Sequence, residues 1–537
     1  MDRTNALARL LARLEELASR PQGAVALFAL GLGVYAGQAL AWPLKSGRDL
    51  DEYLLAYVQL FDRDVLLPWS LLFRTPVTPL VAGGSLDLLG GALAEPLLAV
   101  LYAGSIVAWS AAAFSFGRRV ALAVAAALLV YPGYALMFHE LSSEPVFAAA
   151  FAGCALLVTR ATSRPSAGRF ALVGLGVAML ALIRPGNAVL LAFGVFPFVL
   201  AGRFRERLRR AAAFALAAAL PLVAWSALNG VRFDEYALAR GGNAVLPFYR
   251  AFITDNIVSP ENGEESRRLA AAMQRHLLTR EPYRSYGVTL DELFERGSFR
   301  VHEDLYLLSD QVFGWDDDYA VLRAAGLEAV RASPGTYAGG VLDTVWKQLS
   351  RAQFRVVSSD GDRPFREPTV VVGSKELPRP TEGEPVPSGQ VVWISRPDQS
   401  IRQVWTSPTE WHFEFDDLGD RPRFEEIQRE TDELFDALPD RSGNAQLALR
   451  LSQLSRWVPR PWLWILLGLV AIAVRRPRGS VTLIALAISA LLVVLLNALG
   501  LFADLHFILP VAPAFVVLGL GGLLGARGAQ TRRAPTG

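Results

Sequence analysis

The chain has 537 residues, of which 52% are hydrophobic, and its mean hydropathy is +0.30. These values exclude an ordinary soluble protein, which would be more polar at this length. The formal net charge of +2 at pH 7 gives no indication of nucleic acid binding, and we predict no nucleic acid partner.

Apolar runs recur along the chain, and a helix needs about 20 such residues to cross a hydrocarbon core of ~30 Å. The first run is too long for a cleaved signal peptide, and no small-residue cleavage site precedes the acidic residues that follow it. We therefore predict a polytopic α-helical membrane protein with about ten transmembrane helices, embedded in the lipid bilayer. The predicted spans are residues 21–43, 95–116, 120–138, 144–160, 170–184, 186–201, 211–229, 460–474, 480–499 and 506–525.

Arginine is unevenly distributed between the connections that join these spans. One alternate set of connections is rich in arginine, whereas the other contains a single arginine. Because short cytoplasmic loops carry the excess of Lys and Arg, we predict that the arginine-rich set and both termini are cytoplasmic. The other set would face outward from the cytoplasmic membrane. The arginine-rich connections are residues 117–119, 160–169, 202–210, 475–478 and 526–533, and the others are residues 138–144, 184–187 and 501–506.

A charged, Pro-rich and aromatic segment, residues 230–458, separates the seventh predicted span from the eighth. It contains helix-like stretches and, between residues 352 and 417, short β-rich runs between Pro/Gly turns. We predict that this segment is a large mixed α/β extracytoplasmic domain. Residues 1–229 would form an N-terminal membrane domain, and residues 459–537 the C-terminal membrane helices with a cytoplasmic tail. The stretch PRPTEGEPVPSG (378–389) is predicted to be a mobile loop.

The stretch SGRDLDEYLLAY (46–57) follows the first span and contains the carboxylates Asp49, Asp51 and Glu52. Apolar residues at helical spacing from Leu50 onward indicate an amphipathic helix on the membrane surface. Two interpretations of the carboxylates follow. They could be the capped start of this helix, with Asp49 as N-cap and Glu52 completing a capping box. They could instead be the acid–base centre of an enzyme.

Further charged residues lie at the same predicted face of the membrane. Cations and acids around the end of an apolar bundle are what a site needs to hold a lipid-linked phosphate and activate a polar acceptor. Taken singly, each also fits a structural role, such as the anchoring of a span by Arg184. The candidate residues outside the acidic cluster are Lys45, Arg48, Arg74, His139, Glu140, Glu144, Arg184 and His506.

Five short motifs, in this order and on this predicted side of the membrane, resemble those of GT-C fold glycosyltransferases. The resemblance is to the bacterial relatives of protein O-mannosyltransferases and of the lipid A aminoarabinose transferase, and it covers roughly residues 21–230 and 460–525. Where that family often has Arg-Tyr, this chain has Leu505 and His506, and Arg48 interrupts an acidic pair found after the first span. The motifs are DLDEYLLA (49–56), in which Asp49 precedes Tyr53 by four, RTPVTP (74–79), SSEP (142–145), IRPG (183–186) and LHFILPVAP (505–513).

The resemblance implies the inverting transfer of a sugar from a polyprenyl-phosphate donor to an extracytoplasmic acceptor. In this interpretation Asp49 is the general base, with Asp51 and Glu52 as the alternatives. The donor phosphate would be held by Arg74, Arg184 and His506, with help from Lys45 and Arg48. No cofactor is certain. A divalent cation could share the phosphate through His139, Glu140 and Glu144, although no metal-ligand spacing is visible in the sequence.

Two other classes of protein stay open. A transporter usually carries charged residues at mid-bilayer and shows internal repeats, whereas the predicted spans here are almost free of charge at their centres. A non-enzymatic envelope-assembly protein could also carry a large outer domain. Only the predicted set of acids and cations at one membrane face argues against that second class.

Overall fold

The computed structural model describes residues 20–242, 245–280, 283–295, 299–351, 369–372, 375–378, 381–382, 391–393, 401–405, 410–500 and 505–527. Most of the loop predicted at 378–389 lies outside the described residues, as do most of the connection at 501–506 and of the tail at 526–533. Within the described part, apolar helices form a bundle. A more polar segment, residues 234–458, separates the helix that ends at Phe233 from the helices that begin at Pro461. We call this segment the polar unit.

The helices before the polar unit follow one another with short connections. Their boundaries reflect local chemistry: Pro21, Pro68 and Pro132 each occupy the first helical turn, where the missing N–H has no partner to lose. The helices are α1 (Pro21–Ala39), α2 (Leu50–Gln59), α3 (Pro68–Leu72), α4 (Val77–Asp87), α5 (Ala94–Ala113), α6 (Arg118–Leu129), α7 (Pro132–Leu136), α8 (Ser143–Ser163), α9 (Ala167–Ile183) and α10 (Phe204–Phe233), with 3₁₀ segments at Phe114–Phe116, Met137–His139 and Pro185–Val199.

The polar unit contains both helices and strands. Strands β3 (Thr369–Val372) and β4 (Lys375–Pro378) form an antiparallel pair. A four-stranded sheet has the order β5 (Thr381–Glu382), β8 (Glu410–Phe415), β7 (Ile401–Trp405), β6 (Val391–Trp393), with β5 parallel to β8 and the other pairs antiparallel. The helices are α11 (Glu264–Ala272), α12 (Leu290–Glu295), α13 (Phe299–Val312), α14 (Ala320–Ala332), α15 (Pro334–Ser350), α16 (Asp420–Asp436) and α17 (Ala445–Trp457), with π-type turns at Val245–Thr254 and Met273–Leu277 and 3₁₀ turns at Pro260–Asn262 and Trp315–Asp317.

The chain then returns to the bundle through α18 (Pro461–Arg475), α19 (Ser480–Gly500), α20 (Leu505–Ile508) and α21 (Ala512–Leu524). Of the five hydrophobic clusters found among the described residues, the two largest are the bundle core and the core of the polar unit. The bundle core is lined by large buried side chains such as Tyr102, Trp109 and Phe515, and the polar unit has its own core around Phe248 and Leu322.

Among the described residues, six helical stretches are long and apolar enough to cross a membrane, one of them Ala445–Arg475, which joins α17 of the polar unit to α18. The bent pair α6–α7 makes a seventh if it counts as one span. The 65° bend between α6 and α7 occurs before Pro132, which keeps Tyr131 in an extended conformation. Shorter apolar helices are α9, Pro185–Val199 and α21. The protein is therefore a polytopic helical membrane protein, as predicted, and the number of ten spans stays a prediction.

The two ends of the bundle differ in what they carry. At one end three of the five arginine-rich connections meet: the backbone N–H of Ala526 donates to the carbonyl oxygen of Phe116, and that of Arg478 donates to the carbonyl oxygen of Ala526. At the other end the polar unit contacts the bundle, through bonds such as Asn444 N–H to the Leu40 carbonyl oxygen (2.8 Å). The connected arginine-rich segments and the polar unit thus lie at opposite ends of the bundle. Which end faces the cytoplasm stays a prediction.

Candidate functional site

A two-residue parallel pairing sets the base of the site. Strand β1 (Lys45–Ser46), after α1, pairs with β2 (Glu140–Leu141), just before α8. The N–H of Gly47 continues the pairing by donating to the Leu141 carbonyl oxygen (3.0 Å). A Cβ at Gly47 would lie 2.6 Å from the Cβ of Ser142 and 2.9 Å from the oxygen of Leu141, so a side chain does not fit there. Gly47 therefore allows the first acidic loop to pack directly against the start of α8, and no motif in the sequence singles this glycine out.

Asp49 occupies the N-cap position of α2 without capping it. Its backbone is left-handed (φ 58°, ψ 23°), a conformation in which Asp is several-fold enriched among non-glycine residues, and its side chain makes no capping bond. The carboxylate instead lies 3.5 Å from Nε of Arg48 and 3.6 Å from Nη2 of Arg74. Glu52 pairs with Arg74 rather than with the backbone of Asp49. The capping-box interpretation of the sequence is therefore wrong, because guanidinium groups and not backbone N–H groups face these carboxylates.

Arg74 joins the cluster from the turn between α3 and α4. Its guanidinium lies 5.1 Å from the centre of the Tyr53 ring, within the range of a cation–π contact. Burial lowers the pKa of Arg74, which the charge of Asp49 opposes, and the group stays cationic at any physiological pH. Asp51 is exposed on α2 and acts on Arg74 through its charge.

A second cluster forms where α8 begins and α9 ends. Arg184 precedes Pro185 and is extended, as residues before proline generally are, which turns its side chain out of α9. Its Nε donates to the Ser143 hydroxyl (2.6 Å), and its Nη2 pairs with the carboxylate of Glu144. Nδ1 of His506 lies 3.6 Å from Glu144 and 4.0 Å from Glu140.

Tyr53 connects the two clusters. Burial raises the pKa of its hydroxyl to about 12, and the charges of Arg184, Asp49 and Glu144 also act on that hydroxyl. The Ser143 hydroxyl acts in the opposite direction to burial and lowers this pKa. From the sequence alone, Tyr53 is predicted only as an apolar helix residue and as part of a motif, and Ser143 has no predicted role. Two features of the sequence point to them: Tyr53 follows Asp49 by four residues, and Ser143 is next to Glu144.

The remaining candidates are placed as follows. Arg48 lies with its guanidinium 5.6 Å from the ring centre of Phe507, beside His506. Lys45 lies opposite Glu140 in the β1–β2 register. His139 is buried in the bundle, where its ring stacks on Tyr35 at 4.2 Å, and neither ring nitrogen has a hydrogen-bond partner within the part of the chain that the structure describes. Its described ring contacts are therefore with the aromatic core rather than with the charged clusters.

A divalent cation held by His139, Glu140 and Glu144 does not fit this arrangement. Among the described residues, no group of three or more His, Cys, Asp or Glu side chains is placed to hold a metal ion. Three of the carboxylates, Asp49, Glu52 and Glu144, instead lie close to guanidinium groups. No step proposed below involves a metal.

Fold and site together define a multi-pass helical membrane protein with a charged site at the bundle end that carries the polar unit. No family model and no curated protein matches the chain. Two solved structures of ArnT from Cupriavidus metallidurans are similar to it. The structure bound to undecaprenyl phosphate is 13% identical over 94% of this chain and 78% of that chain (TM-score 0.33). The apo structure is 13% identical over 93% of this chain and 76% of that chain (TM-score 0.31).

Proposed function

We propose that the protein is an integral-membrane glycosyltransferase that moves a sugar from a polyprenyl-phosphate donor to an extracytoplasmic acceptor. The acceptor is a hydroxyl or amine of a cell-envelope glycan, lipid or protein. In this proposal the site and the polar unit lie on the outer face of the cytoplasmic membrane and both termini are cytoplasmic. The meeting of three of the arginine-rich connections at the opposite end of the bundle supports this orientation.

The observation that carries the proposal is the placement of the Asp49 carboxylate. A carboxylate that caps a helix accepts hydrogen bonds from backbone N–H groups of the first turn. Asp49 accepts no such hydrogen bond, and its side chain is 32% exposed. It lies beside the partly buried guanidiniums of Arg48 and Arg74. A general base needs both an ionised form and access to the proton that it removes, and Asp49 has the charge partners and the exposure for that role.

The reaction then follows from the two clusters. Asp49 takes the proton from the acceptor as the acceptor atom bonds to the anomeric carbon of the sugar. On the opposite side the bond from that carbon to the phosphate oxygen breaks, and the electron pair leaves with the lipid phosphate, so the anomeric configuration is inverted. Glu52 is less suited to be the base because it pairs more closely with Arg74 than Asp49 does. Asp51 is the alternative, and the comparison of Asp49→Asn with Asp51→Asn decides between them.

The leaving phosphate gains negative charge, and the cations of the site are the groups that stabilise it. Arg74 and Arg184 present planar guanidiniums, which bind phosphate oxygens in pairs. Arg48, which lies beside Phe507, extends this positive rim, and His506 lies next to it. Because the rim lies at the end of an apolar bundle, a donor could keep its prenyl chain in the bilayer and its phosphate at the site.

The test is consumption of a lipid-linked sugar. Purified protein in lipid nanodiscs would be given undecaprenyl-phosphate esters of mannose, glucose or aminoarabinose, with a bacterial membrane extract as the source of acceptors. We expect release of undecaprenyl phosphate from one donor. Binding of undecaprenyl phosphate without consumption of any donor would favour a non-enzymatic envelope-assembly protein, and vectorial movement of the intact donor would favour a transporter.

A further inference from the structure

The segment that carries Arg74 is held by the polar unit immediately before that residue. The carbonyl oxygen of Leu72 accepts a hydrogen bond from the backbone N–H of Arg240 (2.7 Å). The ring of Phe73 lies edge-on to Tyr306, with 6.1 Å between ring centres and planes at 84°, and tilted against Tyr319 at 6.3 Å. Phe73 thus belongs to the first outer loop in sequence but packs on the core of the polar unit.

Gly241 allows the close approach of Phe73. A Cβ at Gly241 would lie 2.7 Å from the Phe73 ring. The residue also has φ +87°, a backbone conformation that residues other than glycine rarely adopt. The backbone of residues 240 and 241 therefore contacts residues 72 and 73 through a hydrogen bond and through ring packing together.

Arg240 is itself fixed. It is 3% exposed, and its guanidinium bonds to Asp310 with both Nη groups, at 2.8 and 3.2 Å. It also donates to the carbonyl oxygen of Trp315 (2.6 Å) and to the Tyr319 hydroxyl, and it stacks 3.4 Å from the centre of the Trp315 ring. A buried charge with this many partners has little freedom to move, so the backbone N–H of residue 240 is a rigid attachment point.

The same segment is also tied to the bundle on the far side of Arg74. The hydroxyl of Thr78, in α4, donates to the carbonyl oxygen of Ile183 (3.0 Å), the residue before Arg184. Residues 72–78 are therefore attached to the polar unit at one end and to the second charged cluster at the other. Arg74 lies between the two attachments and faces Asp49.

We propose that the polar unit positions the site: Phe73 and Arg240 are positioning residues that set the guanidinium of Arg74 opposite Asp49. In this proposal Arg74 contacts the donor, whereas Phe73 and Arg240 do not. The catalytic part of this inference rests on the proposed function, whereas the positioning of residues 72–78 is a property that can be measured without any substrate.

The experiment compares two Phe→Leu substitutions in the core of the same unit. Phe73→Leu removes the ring that touches Tyr306 and Tyr319, and the control Phe294→Leu alters a ring that packs on Phe252. Hydrogen–deuterium exchange of the full-length protein in nanodiscs should become faster in residues 72–78 for Phe73→Leu only. Unchanged exchange there, or an equal increase in Phe294→Leu, would overturn the proposal whether or not the protein transfers sugars.

The second readout is kinetic and separates positioning from general loosening. In Phe73→Leu we expect kcat for donor consumption to fall on the order of 10- to 10²-fold with KM little changed, because a small displacement of a charged group mainly affects the transition state. Phe73→Tyr keeps the ring and should recover most of the rate, and Phe294→Leu should keep it. A fall of kcat in Phe294→Leu equal to that in Phe73→Leu would indicate a purely structural role. If the wild type consumes no donor, only the proposed function fails, and the exchange result still decides the positioning.

Discussion

The guanidinium of Arg184 pairs with the carboxylate of Glu144, and this carboxylate is nearly enclosed, with 1% of the Glu144 side chain exposed. The pair joins the end of α9 to the start of α8, and the Ser143 hydroxyl accepts a further bond from the same guanidinium. A buried carboxylate depends on such a partner, because loss of one member leaves an uncompensated charge. Arg184 is thus needed for the fold of the site before it can serve in phosphate binding.

The first prediction therefore concerns stability. Arg184→Ala should lower the free energy of unfolding by about 3–5 kcal/mol, the range for breaking a buried pair. Adding Glu144→Gln should recover part of that loss, because the double variant no longer buries an unpaired charge. Denaturant unfolding in mixed micelles measures both variants. Equal stability of the single and double variants would show that the pair does not bury a charge in solution.

Asp49→Asn should separate chemistry from structure. Asn accepts the left-handed conformation about as well as Asp, and no capping bond is lost. Only the partly exposed ion pairs with Arg48 and Arg74 are removed, so stability should fall by about 1 kcal/mol or less. A neutral amide cannot take up the proton, however, and turnover should fall on the order of 10²–10⁴-fold. The matched control is Asp51→Asn, two positions further along the chain, which should stay close to wild-type turnover. Near-normal turnover of folded Asp49→Asn would remove this residue as the base.

Gly47→Ala tests the β1–β2 pairing. The added methyl group would lie 2.6 Å from the Cβ of Ser142, so the two loops must separate, and we expect a cost of about 1–3 kcal/mol together with loss of turnover. Gly84→Ala in α4 is the control, since nothing lies within 4 Å of its added Cβ. Thermal unfolding and turnover of both variants give the comparison. Equal behaviour of the two variants would contradict the close approach.

The titration of Asp310 should make the stability of the polar unit depend on pH. Burial raises the pKa of its carboxyl from 3.8 to about 6 although Arg240 and Tyr319 bond to it. The folded protein then binds the proton more tightly than the unfolded chain between these pH values, so this group should make stability fall as pH rises from about 4 to about 6. Asp310→Asn should abolish this part of the pH profile. A stability profile identical in wild type and variant across that range would contradict the assignment.

Reporter fusions test the orientation of the chain. The distribution of arginine predicts a cytoplasmic signal after residues 118, 165, 206 and 477 and an outside signal near residues 60, 141, 300 and 503. A cytoplasmic signal from residue 300 would place the site on the side of nucleotide-linked sugars, and the proposed donor would then be wrong.

The sequence allowed the helical membrane architecture to be predicted because the bilayer imposes its own rule: a helix must be long and apolar to cross it. The site was harder. That Arg74 faces Asp49 and Glu52 depends on contacts of the polar unit far along the chain. The left-handed backbone of Asp49 is a further consequence of tertiary contacts that local spacing does not reveal.

His139 shows the limit of reasoning from neighbours in sequence. The sequence places it with Glu140 and Glu144 between two predicted spans, yet the structure places the His139 ring on Tyr35 and the Glu140 carboxylate near His506. His139 ends the 3₁₀ segment Met137–His139, whereas Glu140 begins β2, so the backbone conformation changes between the two residues. Residues that are adjacent across such a change need not face the same site.

The pairing of β1 with β2 also bears on how the protein is made. β1 leaves the ribosome with the first membrane helix, whereas β2 and α8 are synthesised only after α5, α6 and α7. The acidic loop that contains Asp49 thus has no strand partner during the insertion of those helices. The segment next to Arg74 gains its contacts with residues 240 and 319 later still, because those residues are synthesised after α10. Closing such distant contacts is slow compared with forming a local helix. The site is consequently completed late: the contacts of Arg74 need the polar unit, and His506 arrives only with the last helices of the bundle.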